Sequence, residues 1–108
     1  MKTIDEHVLF EVSAESYYGL ALSDPIELRL PVNAYVLSVM SERSGDAISI
    51  KAFIVQDSSE SPVRKLIKLV TTNPPEESGW CFINSVLVST GPEANPLNIV
   101  HHAYVKIC

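Results

Sequence analysis

Few residues in this chain could do chemistry: three histidines, His7, His101 and His102, and two cysteines, Cys81 and Cys108. His101 and His102 are adjacent inside the β-branched run "NIVHHAYVKI". On a strand, successive side chains point to opposite faces, so the two imidazoles cannot chelate one metal together. A metal site would have to recruit His7, Cys81 or a carboxylate from elsewhere, and a His7/His102 pair is the arrangement to test. The ligand spacing of structural zinc is absent, and no metal or cofactor is expected. Cys81, in "GWCFIN", can be written as a nucleophile with His101 or His102 as its base. The plainer expectation is a buried strand cysteine, whose thiol is inert. The sequence has no Gly-rich phosphate loop and no serine nucleophile elbow. The expectation is therefore a protein without catalytic residues.

The aromatic residues offer binding instead. Tyr17, Tyr18, Trp80 and Tyr104, with His102, are the candidate binding residues, because amphipathic rings anchor interfaces at small entropic cost. "ESYYGL" is the most suggestive stretch: two adjacent tyrosines rarely both point inward. The plain reading buries one of them and leaves the other on the surface.

These residues must be positioned by strands. "IELRL" alternates, with Ile26, Leu28 and Leu30 on one face, and Pro31 ends the run because it has no N–H to donate. The spacing predicts a hairpin of Ala34–Glu42 with Ala47–Val55 across a Ser44–Asp46 turn, Gly45 supplying positive φ. "TIDEHVLFEV", "WCFINSVLVS" (bent at Asn84–Ser85) and "LNIVHHAYVKI" read as further strands. Val63–Thr72 fits a helical stripe or a strand; its threonines and the following "NPP" favour the strand. Ser13–Pro25 fits a short helix or an ordered loop equally well. About seven strands joined by polar loops predict a single all-β domain over residues 1–108, an antiparallel sandwich or partly closed barrel.

The chain has 108 residues, 46% hydrophobic and 19% charged, with a formal net charge of −5. That composition suits one globular core. The acidic balance argues against a duplex nucleic-acid binder with a broad basic face. Acids interrupt "MKTIDEHVLFEV" where a signal peptide needs an apolar core, and no apolar run approaches a membrane span. The expected location is cytoplasmic, with no membrane partner, and a Cys81–Cys108 disulfide is not expected.

"IELRLPVNAYVLSV" and "IVHHAYV" carry a resemblance. They are similar to small uncharacterised β proteins of tailed phages and prophages, which have a strand ending in Pro-x-Gly-Ala and a closing Val-aromatic-His-Val-Phe strand. The resemblance spans Ile26 to Val105 and places His102 on the closing histidine and Tyr104 on the aromatic. Asn33 stands where that family has glycine, and "TTN" where it has a Thr-Gly-His turn. The resemblance implies a phage or mobile-element origin, a small β fold and no catalytic role. The leading expectation is a non-enzymatic accessory protein that inhibits a host defence system, either anti-CRISPR-like or as a nucleotide-messenger sponge. Its partner would be a host protein complex or a nucleotide ligand, in the cytoplasm of the host cell. A virion structural or assembly accessory and a small Cys/His hydrolase are the alternatives. The last strand is apolar on one face and guarded only by Lys106. If it lies at a sheet edge, a homodimer is expected, either pairing these edges or packing their faces about a two-fold axis, with His102 and Tyr104 near its interface; in a monomer the N-terminal strand would cover the edge through Val8 and Phe10.

Overall fold

The structure, a computed structural model, describes residues 2–17, 25–31, 33–57, 62–71, 75–76 and 78–106. Seven strands run in chain order: β1 (Lys2–Ser13), β2 (Ile26–Pro31), β3 (Tyr35–Ser44), β4 (Ala47–Asp57), β5 (Pro62–Val70), β6 (Trp80–Thr90) and β7 (Leu97–Lys106). They form two antiparallel sheets, one ordered β1-β4-β3 and the other β2-β5-β7-β6. The sheets are not closed into a barrel; they face each other as a sandwich. No helix occurs among the described residues, and none is long and apolar enough to cross a membrane.

Alternation builds the core. On β4, Ile48, Ile50, Ala52 and Ile54 are all buried, and they meet Leu30, Ile67, Leu69, Val86, Val88 and Ala103 from the other sheet. Ile26 and Leu28 pack against the same cluster, as the alternation of "IELRL" requires. Of Val63–Thr72, the stretch Val63–Val70 takes the strand reading, as part of β5, paired to both β2 and β7, and Thr72 lies outside the described residues.

The β3–β4 hairpin is the expected one, closed by a two-residue loop with Ser44 opposite Ala47. Gly45 has φ +61°, and Asp46 does not have positive φ, the pattern of a type II′ turn. The turn is tied to its surroundings. The backbone N–H of Ala14 donates to the Asp46 carbonyl (2.6 Å), and the Asp46 carboxylate accepts from Ser13 Oγ (2.7 Å) and the Glu15 N–H (3.1 Å). These bonds hold the Asp46 carboxyl below the usual carboxylate range, the Ser13 hydroxyl contributing most.

Two side chains stitch the sheets together where edge strands β3 and β6 meet. Asn84 is inward-facing: its Oδ1 accepts from the Val39 N–H and its Nδ2 donates to the Val39 carbonyl, both at 2.9 Å. Arg43 donates to the Gly45 and Gly91 carbonyls (2.8 and 2.6 Å) and more distantly to Ser89. Val39 thus finds in a side-chain amide the partners that a neighbouring strand would supply.

Three expectations change. β7 is not an edge strand: it lies between β5 and β6 with both edges paired. Edge-to-edge dimerisation through the last strand is therefore ruled out by its central position. The first strand does not cover it, since β1 pairs with β4 in the opposite sheet. Finally, the bend in β6 comes earlier than expected, as a register shift between Phe82 and Asn84 that leaves Ile83 as the extra residue.

Candidate binding face

Strand alternation decides where the two histidines go. Ala103 and His101 face the core, while His102 and Tyr104 face outward. His101 is 1% exposed, and its ring is fully satisfied. Nδ1 lies 3.1 Å from the Ile99 carbonyl and Nε2 lies 2.6 Å from the Tyr17 hydroxyl. A carbonyl can only accept, so Nδ1 carries the proton and Nε2 accepts from the tyrosine O–H. The rings also stack, with centroids 5.7 Å apart. Burial, opposed by the Ile99 carbonyl and assisted by the nearby His102, lowers the His101 pKa. Burial likewise pushes the Tyr17 hydroxyl up to about 12. The pair is a neutral, buried hydrogen bond locking the segment after β1 onto the second sheet.

Tyr17 is accordingly withdrawn from the candidate binding residues: it is 4% exposed, a core residue. Its neighbour Tyr18 lies outside the described residues.

The other three candidates, Trp80, His102 and Tyr104, share the outer face of the four-stranded sheet. They form part of a grid set by strand register. One row across β5, β7 and β6 is Lys68–Tyr104–Phe82; the next is Leu66–Lys106–Trp80, and on the other side Val70–His102–Ser85. Within the grid Phe82 meets Tyr104 edge-on at 5.5 Å and lies 6.4 Å from the His102 ring. His102 Nδ1 bonds the Ser85 hydroxyl at 2.7 Å, which fixes the imidazole's orientation. Lys106 Nζ lies over the Trp80 ring at 5.3 Å from its centroid and donates to the Ser78 carbonyl. Phe82 is 57% exposed, and Leu87 and Val100 extend the apolar surface.

Comparison of the chain with known protein families, characterised proteins and solved structures returns no match.

Chemistry by the cysteine and histidines finds no support in this arrangement. Cys81 is exposed, correcting the expectation of a buried thiol. It stands opposite Val105, whereas His102 stands opposite Ser85 and His101 opposite Val86. At about 3.3 Å per residue, the three positions from Val105 to His102 along β7 separate thiol and imidazole by on the order of 10 Å. His101 is moreover committed to Tyr17 and Ile99. His7 is on β1, in the other sheet, so the His7/His102 arrangement is not assembled. No group of three or more metal-ligating side chains occurs among the described residues.

Phe82 and Lys68 were not singled out from sequence. Phe82 reads as core in "WCFIN", because Val86 and Val88 point inward and unbroken alternation would carry Phe82 inward too. The extra residue at Ile83 reverses the parity, turning Phe82 and Trp80 outward.

Proposed function

We propose that the protein is a non-enzymatic binding protein that works through the outer face of the β2-β5-β7-β6 sheet, and that it acts on a host defence system. The observation that carries the first half is the clustering of Phe82, Tyr104 and His102 at 5.5 to 6.4 Å on one exposed sheet surface. Soluble proteins seldom leave contiguous apolar and aromatic surface uncovered without an interaction to use it. The second half follows from the resemblance to small phage and prophage β proteins. In this reading the chain acts in the host cytoplasm by occupying a component of the defence machinery.

The test is a plaque assay in bacteria carrying a CRISPR system or a nucleotide-signalling defence. Expression of the chain should raise phage plating efficiency against at least one of these, and Phe82→Ala should abolish the gain at equal protein level. No gain in either host, or full activity of Phe82→Ala, contradicts the proposal.

A further inference from the structure

We infer that the outer face of the four-stranded sheet binds single-stranded nucleic acid, with bases stacked on Phe82 and Tyr104 and phosphates held by the surrounding cations. The inference rests on the reading of that face as the binding surface and names its ligand.

Charge is the first argument. The chain has eight Lys and Arg residues against thirteen Asp and Glu. Yet alternation and register place Arg29, Arg64, Lys68 and Lys106 on this outer face, with Glu27 as the acid among them, 3.4 Å from Arg64. Among the described residues neither Arg29 nor Lys68 has an ion-pair partner. The outer face of the other sheet is the reverse. There Glu6 and Glu42 each bond Lys51 at 2.9 Å, and Glu11 lies outward opposite Ser49. Among the described strand residues the two outer faces differ in sign, with Arg29, Arg64, Lys68 and Lys106 against Glu27 on one, and Glu6, Glu11, Glu42 and Asp57 against Lys2 and Lys51 on the other.

Shape is the second. A mononucleotide needs a concavity that buries most of its surface. Two cavities among the described residues lie elsewhere, one lined by residues of β1 and the β3–β4 turn, the other around Arg43, Gly45 and Glu93. The aromatic face is an open grid whose rows are spaced about 7 Å along the strands and about 4.8 Å across them. An extended strand can engage such a grid at several points. A duplex cannot stack on it, because its bases are already paired and stacked.

The third argument is the pairing of ring and cation. In the row Lys68–Tyr104–Phe82, a lysine is the cross-strand neighbour of Tyr104, which pairs in turn with Phe82. Base stacking on aromatic rings next to backbone-tracking cations is how sheet surfaces hold single strands without reading sequence. A second copy of the chain fits less well, since a two-fold packing of this face would bring together two surfaces of the same net sign, four cations to one acid on each among the described residues.

Fluorescence anisotropy with labelled oligonucleotides of about 12 residues tests this. RNA and DNA of mixed and homopolymer sequence should both bind saturably. Phe82→Ala should weaken binding about tenfold or more, the worth of one stacked base. Lys68→Glu should weaken it and flatten its salt dependence, while Val8→Ala, on the opposite sheet, should leave it unchanged. With two phosphates neutralised, by Arg29 and Lys68, affinity should fall about sevenfold between about 50 and about 200 mM salt. Duplex of the same sequence and cyclic dinucleotide should not displace the strand. Displacement by cyclic dinucleotide would overturn the inference in favour of a small messenger. Binding that Phe82→Ala and Lys68→Glu leave intact, or no binding at all, would also overturn it. If no strand binds while Phe82→Ala still abolishes the plaque phenotype, the face stands and only its ligand has been misassigned.

Discussion

At the scale of single residues, one buried contact governs how stability responds to pH. An unfolded histidine takes up a proton near about pH 6.5. Buried His101 is held below that value, chiefly by desolvation. Between the two pKa values the unfolded chain binds more protons than the folded one, so stability falls as pH drops through this range and is fully present above it. The neighbouring hydroxyl acts at the other end. Tyr17, raised from 10.0 to about 12, contributes stability that is present below pH 10 and is lost as pH rises towards 12. Thermal unfolding between pH 7.5 and 5 should show a declining midpoint in the wild type and a flatter slope in His101→Gln. Equal slopes would mean that His101 is not held neutral. The carboxylates held low by hydrogen bonds, Asp5, Glu42 and Asp46, affect stability only in the carboxylate range and so do not confuse this window. Adjacent histidines thus take unlike places from alternation alone: one locks the core, the other lies on the outer face of the sheet.

Among the elements, the strands were legible and their arrangement was not. Apolar and polar residues alternate along "IELRL" and "AISIKAFIV", so both the elements and their inward faces follow from period two. The hairpin followed because Gly45 interrupts two such runs at the right place. Its backbone makes a further prediction. A Cβ at Gly45 would meet nothing within 4 Å, so the only penalty on a larger residue is its φ of +61°. Gly45→Val should therefore cost about 1 kcal/mol or more in chemical denaturation, and an unchanged midpoint would contradict the turn. What the sequence could not reveal is which strand pairs with which. The pattern of β7 is the same whether it lies at an edge or between β5 and β6, because alternation reports faces and carries nothing about neighbours. The site was legible in the same partial way. Trp80, His102 and Tyr104 were found as aromatic or amphipathic residues on readable strands. Phe82 was hidden by a one-residue bulge that reverses parity, and Tyr17 was misplaced because no strand periodicity continues past Ser13.

Over the whole molecule, the two sheets separate charge as well as burying a core. The β1-β4-β3 sheet turns Glu6, Glu11 and Glu42 to solvent around Lys51, while the β2-β5-β7-β6 sheet turns out Arg29, Arg64, Lys68 and Lys106 around its aromatic rows. This asymmetry bears on association. With β7 central, a homodimer cannot pair through that strand's edge, and packing the basic faces about a two-fold axis would bring together two surfaces of the same net sign. On β1, the outer edge is unpaired among the described residues, and charged side chains and a bulge between Val8 and Phe10 guard it, as edge strands commonly are. The molecule thus carries, among its described residues, one basic, aromatic sheet face, the surface proposed to take an anionic, planar ligand. Amide shift mapping by two-dimensional NMR during titration with a single-stranded oligonucleotide tests that claim most directly. The account predicts perturbations concentrated on β5, β6 and β7 around Lys68, Phe82, His102 and Tyr104, with β1, β3 and β4 unmoved. Shifts confined to the β1-β4-β3 sheet, or none at saturating oligonucleotide, would contradict it.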